Sequence, residues 1–172
     1  ISAFRTVIAK LQKVEPDNSI FAVTAARVSQ IVESPVSGMS QTAPKYLVSA
    51  IVSTYNAEKY IRGCLEALEN QTIADKLEII VVDSGSQQNE AAIVKEFQQR
   101  YNNIKYIRTE RETIYGAWNR AVRASSGKYI TNANTDDRHY NDALESLVEA
   151  LEQNPTKVVA YGNQHLVSEI NG

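Results

Sequence analysis

From Tyr46 onward, short continuous apolar runs alternate with stripes of helical period. Leu47 to Val52, Leu77 to Val82, Ile104 to Ile107, Tyr129 to Thr131 and Val158 to Tyr161 have strand length and are rich in β-branched or aromatic residues. The apolar run from Leu77 to Val82, with Glu78 its one charged residue, predicts a strand buried on both faces. Between the runs, Ile61, Cys64, Leu65 and Leu68 fall at i, i+3, i+4 and i+7, the stripe of an amphipathic helix, which Asn56 is placed to cap. Ile93, Val94, Phe97 and Tyr101 mark a second helix, Ile114, Trp118, Ala121 and Val122 a third. Leu144, Leu147, Val148 and Leu151 mark a fourth, ended by Asn154-Pro155. Strands alternating with helices of this length predict right-handed crossovers and an α/β fold, a mostly parallel sheet with helices on both faces.

The pattern before Tyr46 differs. Phe4, Val7, Ile8 and Leu11 form a helical stripe, Glu15-Pro16-Asp17-Asn18 breaks it, and Phe21, Val28, Ile31 and Val32 suggest a second helix to about Glu33. A short helical hairpin over residues 1–33 buries little by itself, so it needs a surface to lie on. That surface is the main domain, a preceding helical repeat region, or a separate protein partner. Ser34 to Lys45 has the proline, glycine and small polar residues of a linker. Three parts are expected: 1–33, 34–45 and 46–172.

Composition sharpens this picture mainly by exclusion. The chain has 172 residues, 43% of them hydrophobic, enough to bury a core. Its 18 Lys and Arg against 20 Asp and Glu argue against a broad nucleic-acid-binding face. No apolar run approaches the ~20 residues of a membrane helix. The single cysteine excludes a disulfide framework and a multi-cysteine zinc site, and a cytoplasmic location is expected. With Ile1 first and Met39 the only methionine, the sequence reads as a piece of a longer protein.

Open parallel sheets bind ligands beyond the carboxyl ends of their strands. The residues expected there are Ser53-Thr54-Tyr55-Asn56, Asp83-Ser84-Gly85-Ser86 and Asn134-Thr135-Asp136-Asp137. Neither a dinucleotide fingerprint nor a triphosphate loop occurs, and zinc-protease and serine-hydrolase signatures are missing too. The remaining chemistry is acidic. Adjacent aspartates suit a hard divalent cation, Mn²⁺ or Mg²⁺, that bridges them to a diphosphate.

The blocks LVSAIVSTYNAEKYIRGCLEAL, LEIIVVDSGSQQN and TIYGAWNRAVRASSGKYITNANTDD resemble, in order and spacing, a GT-A glycosyltransferase of the large inverting family that includes polysaccharide synthases. The resemblance covers about residues 46 to 165. It implies a nucleotide-diphosphate sugar as donor, UDP- or GDP-linked, and a carbohydrate, lipid or protein acceptor. By the same resemblance Tyr55 packs on the base with Thr54 and Asn56 shaping its loop, and Asp83 hydrogen-bonds the base beside Ser84. Asp136 contacts the ribose or donor, and Asp136 or Asp137 ligates the metal. Ala117 and Asn119 match the family's Ala-x-Asn, with Asn119 at the nucleotide. Where relatives favour Gly-Ile-Tyr-Asp, this chain reads Thr113-Ile-Tyr-Gly116, a departure bearing on loop geometry and donor preference. The general base of an inverting transfer is expected in the acceptor-binding half, beyond Gly172, so no catalytic residue is assigned within the chain.

Simpler roles compete at each position. Asp83 suits a turn, Asp136 and Asp137 could cap a helix near Tyr140, and Tyr55 could be core. Arg111, Arg120 and Arg138 could meet a diphosphate or be solvated, and His139 could touch phosphate, touch acceptor or hold a turn. Cys64 and Trp118 read as packing residues. The alternative to a transferase is an interaction module in which residues 1–33 dock a partner and the following domain is inactive alone. A sugar nucleotidyltransferase is disfavoured by the missing basic, glycine-rich phosphate loop.

Overall fold

The computed structural model describes residues 7–10 and 44–163. Within them a six-stranded sheet is built from β1 (Val7–Lys10), β2 (Tyr46–Thr54), β3 (Leu77–Asp83), β4 (Ile104–Arg108), β5 (Gly127–Asn132) and β6 (Val159–Tyr161) in the order β4-β3-β2-β5-β1-β6. The pairs β2–β3, β2–β5 and β3–β4 are parallel. β1 runs antiparallel to both β5 and β6. The α-helices α1 (Glu58–Glu69), α2 (Glu90–Gln98), α3 (Ile114–Ala124) and α4 (Ala143–Gln153) connect them.

Strand alternation sorts the apolar side chains onto two faces. Val48, Ala50 and Val52 of β2, with Leu77, Ile79 and Val81 of β3, meet the stripes of α1, α2 and α4. Ile51, Ile80 and Val82 point the other way, onto Ala117 and Ala121 of α3. All seven residues of β3 are buried, Glu78 and Asp83 included, in line with the expected burial on both faces. The helices on both faces and the mostly parallel sheet agree with the sequence reading.

Two expectations are corrected. Val7 to Lys10 is a strand, not part of a helix, with Ile8 opposite Thr131 of β5 and Ala160 of β6. Val7 and Ile8 are β-branched, and ladder hydrogen bonds from two neighbouring strands outweigh a helical stripe of four residues, too short to nucleate alone. Asn56 does not cap α1. Its φ is 50°, and Ala57 takes the cap position. The rest of the expected hairpin and the linker to Ala43 lie outside the described residues.

The chain runs outward from β2 through β3 to β4, then returns to the other side of β2 as β5. The reversal opens a crevice between the carboxyl ends of β2 and β5, where α/β sheets of this kind place ligands.

Candidate functional site

The end of β2 is tied to the end of β3 by a lattice of backbone-directed bonds. The Ser84 N–H donates to the Thr54 carbonyl (3.0 Å), the Asn56 N–H to Ser86 Oγ (3.1 Å), and the Gln87 N–H to Asn56 Oδ1 (2.8 Å). Buried Glu90 accepts the Ala57 N–H through Oε1 (2.5 Å). The left-handed turn at Asn56 is what aims its side chain back at Gln87. Gly85 has φ of 75°, and a Cβ there would crowd the Arg111 backbone nitrogen at 3.2 Å, so the turn needs glycine on both counts. Thr54 Oγ1 is buried and without a hydrogen-bond partner among the described residues.

Asp83, last in β3 and fully buried, is the hub. Its Oδ1 accepts the Ser86 N–H (2.7 Å); its Oδ2 accepts the Tyr106 hydroxyl (2.5 Å) and Arg108 Nη1 (2.7 Å). Burial pushes the carboxyl up, but the Tyr106 hydroxyl, Ser86 and Arg108 together outweigh it and hold it below the usual range. Arg108 also donates to the Ser86 carbonyl (2.6 Å), so one ion pair fixes the whole Asp83–Ser86 turn. Tyr106 and Arg108, missed from the sequence, were findable by parity. They alternate with Ile104 on one face of β4, and Arg108 is the register partner of Asp83.

Tyr55 is 40% exposed, and the Arg111 guanidinium lies 3.5 Å from its ring centroid. Arg120 is held by Glu112 through Nε (3.1 Å) and Nη2 (3.2 Å). On α3, Asn119 is half-buried beside Trp118, whose indole N–H donates to Ser53 Oγ (3.2 Å) at the end of β2.

Across the crevice, β5 runs into the acidic turn. The Asp137 N–H donates to the Asn134 carbonyl (3.0 Å), and Asn134 Nδ2 donates to Asp137 Oδ2 (3.1 Å). Asp136 is exposed and Asp137 half-buried, and α4 begins only at Ala143 with Asp142 in the cap position, so neither aspartate caps it. Burial, then the Asp136 charge, push the Asp137 carboxyl up against the opposing pull of Asn134 and Arg138. His139 is 9% exposed, with both ring nitrogens buried and unpartnered among the described residues, and burial keeps it neutral at higher acidity than usual.

The structure therefore brings together Thr54, Tyr55, Asn56, Asp83 and Ser84 in one linked pair of loops, with Asp136 and Asp137 at the end of the neighbouring β5. The profile described as Glycosyl transferase family 2 matches residues 49–169, most of the chain and every element of this arrangement. The chain belongs to that family. An uncharacterized glycosyltransferase of Methanocaldococcus jannaschii is 38% identical over 112 residues, 64% of this chain and 39% of that protein. The glycosyltransferase GlyA of Streptococcus pneumoniae is 33% identical over 125 residues, 73% of this chain and 18% of that protein. The chain thus spans well under half the length of these glycosyltransferase relatives. Among solved structures, S. aureus TarS in complex with UDP superposes with a TM-score of 0.60 at 26% identity, over 63% of this chain and 33% of that one. A mannosyltransferase from Pyrobaculum calidifontis in complex with GDP-Man and Mn²⁺ gives 0.57 at 27% identity, over 73% and 38%.

The acidic turn is where this chain's residues could hold a divalent cation. No group of three or more His, Cys, Asp or Glu converges on a point among the described residues. Asp136 and Asp137 offer two adjacent carboxylates, the second pushed up by burial and then by the first, and they could hold such a cation only with water or substrate oxygens in its remaining positions.

Proposed function

We propose that this domain is the donor-binding part of an inverting, metal-dependent glycosyltransferase that takes a UDP- or GDP-linked sugar and serves polysaccharide biosynthesis. The observation that carries the reading is the crevice itself. An exposed aromatic ring and a rigid Asp83 turn stand on one side of the chain reversal, and a paired-carboxylate turn stands on the other. An aromatic surface on one side and paired carboxylates on the other are the chemistry that a flat base and a metal-bound diphosphate call for.

In this reading the base lies on the exposed part of Tyr55, beside the Arg111 guanidinium that already stacks on the ring. Asp83 and Ser84 form the polar wall beside it, with Thr54 and Asn56 holding the loop. Asn119 and Asp136 line the ribose side, and Asp136 and Asp137 hold the cation. Bound there, Mn²⁺ or Mg²⁺ supplies Lewis-acid stabilisation of the diphosphate leaving group. The cytoplasm is the proposed location. Among the described residues no helix is long and apolar enough to cross a membrane. The acceptor is a carbohydrate, lipid or protein hydroxyl.

Calorimetry with UDP and GDP, with and without Mn²⁺, tests the reading. One nucleotide binds, binding tightens with metal, and Asp137→Ala removes the metal-dependent increment. A folded chain that binds neither nucleotide under any metal condition sinks it. Tyr55→Ala removes the stacking surface and is expected to cost about 1–3 kcal/mol of nucleotide affinity, roughly 5- to 150-fold in Kd. Unchanged Kd would place the base elsewhere.

A further inference from the structure

Gly63 sits in the middle of α1, where glycine costs about 1 kcal/mol relative to alanine. Its neighbours Ile61, Cys64, Leu65 and Leu68 keep a clean buried stripe, so nothing in the helix itself asks for a glycine. The reason lies across the gap. A Cβ at Gly63 would come within 2.8 Å of Arg138 Cζ and Nε, and closer still to Nη2. The guanidinium occupies the space beside the helix backbone where that Cβ would be.

From this seat Arg138 makes three bonds, all to backbone carbonyls. Nη1 donates to Thr135 (2.9 Å) and Asp137 (2.8 Å), and Nη2 donates to Tyr60 (3.1 Å). Two acceptors belong to the acidic turn and one to α1. The turn is anchored to the same helix upstream as well, because Cys64 Sγ lies 3.9 Å from the Ala133 carbonyl. α1 in turn begins just past the Tyr55–Asn56 loop, and its packed stripe makes it a rigid base.

We propose that Arg138 is a positioning residue that preforms the Asp136-Asp137 turn for the diphosphate-bound cation, and that Gly63 is the seat that lets it do so. The proposal rests on the nucleotide-sugar reading above. Its physical basis is pre-organisation. A turn carrying two adjacent carboxylates spreads unless something holds it, and a planar guanidinium closes it through two carbonyls while adding a positive charge. Lysine can supply the charge but not the planar fork. Arg138 is thereby committed to the protein, which separates it from a direct phosphate ligand.

The test is a Mn²⁺ titration of the 172-residue chain at saturating UDP or GDP, whichever binds, followed by the loss of the free Mn²⁺ electron-paramagnetic signal. Loss of an outer-shell partner typically costs 10–100-fold in metal affinity. Arg138→Lys, Arg138→Ala and Gly63→Ala are each expected to raise the half-saturating Mn²⁺ concentration about tenfold or more. Gly63→Ala should add nothing in the Arg138→Ala background, since the group it displaces is gone. A merely structural role lowers the melting temperature of the three variants and leaves the Mn²⁺ midpoint in place. If Arg138→Ala does not fold, Arg138→Lys and Gly63→Ala carry the test. A metal-dependent parent with unshifted variants overturns this proposal alone. A parent that binds nucleotide without any response to metal overturns the metal reading of the site, and this proposal with it.

Discussion

Glu78→Ala should lower the unfolding free energy by about 3–5 kcal/mol, the usual consequence of removing one partner of a buried ionic cluster. The Glu78 side chain is fully buried near the start of β3, and all its acceptor positions are used. Oε2 accepts the Ser49 hydroxyl (2.6 Å) and the Ser126 N–H (2.8 Å); Oε1 accepts the Ser126 hydroxyl (2.9 Å) and Lys105 Nζ (2.6 Å). One carboxylate thus joins β2, β3, β4 and the entry to β5. Gly127 belongs to the same knot, because a Cβ there would meet Ser49 N and Oγ at 2.7 Å. Alanine strands several buried donors and opens a void besides. Lys105 is the contrast. It is half-exposed, water replaces it readily, and Lys105→Ala should cost about 1 kcal/mol. Urea unfolding of the two variants measures the gap, and equal losses would mean that the cluster is organised by the cation instead. Folded-state stability of 5–15 kcal/mol is typical, so Glu78→Ala brings the domain close to its limit.

What the sequence made legible follows from which forces act locally. The stripes of α1 and α4 and the apolar run of β3 are direct imprints of burial, so the alternation of strands and helices from Tyr46 onward and the sheet edge carrying the polar loops are legible in the sequence. Position along the chain says less about what lies beside it. Asp83 was recognisable as a strand-end carboxylate, yet its partners Tyr106 and Arg108 lie on another strand and are joined only by register. Asn56 looked like a helix cap because its type suits one. The tie to Gln87 across the loops drew it into a left-handed turn instead. Gly63 carries no signal in the sequence, because Arg138, which lies against it, is 75 residues away along the chain. Val7 and Ile8 satisfy both a helical and a strand pattern, and only the β5 edge decides between them.

Asp83→Asn is the variant expected to strike stability and ligand binding together. The shape is kept and the charge lost, but the donors remain. Ser86 N–H, Tyr106 Oη–H and Arg108 all point at the carboxylate, and an amide can turn only one oxygen toward them while its NH₂ faces a donor. Breaking this buried arrangement should cost about 3–5 kcal/mol. The damage extends to the crevice, because Ser86 also holds the Asn56 N–H and Arg108 holds the Ser86 carbonyl. Release of that turn frees the Tyr55–Asn56 loop, so nucleotide affinity should fall further than for Tyr55→Ala, which removes one surface from an intact frame. The acid limb of the stability profile gives a second readout. The folded Asp83 carboxyl titrates below its ordinary value, as does that of Glu78. Burial opposes ionisation at each, and their hydrogen bonds and cationic neighbours win. A depressed folded pKa contributes stability that is complete above the unfolded value, about 4 for these carboxyls, and is lost as pH falls through the lower folded value. The parent protein should therefore lose stability progressively below about pH 4, and Asp83→Asn should flatten that slope by roughly one proton's worth. Denaturant midpoints from pH 7 down to pH 3 measure it; an unchanged acid slope would show that Asp83 does not carry its charge in the folded domain.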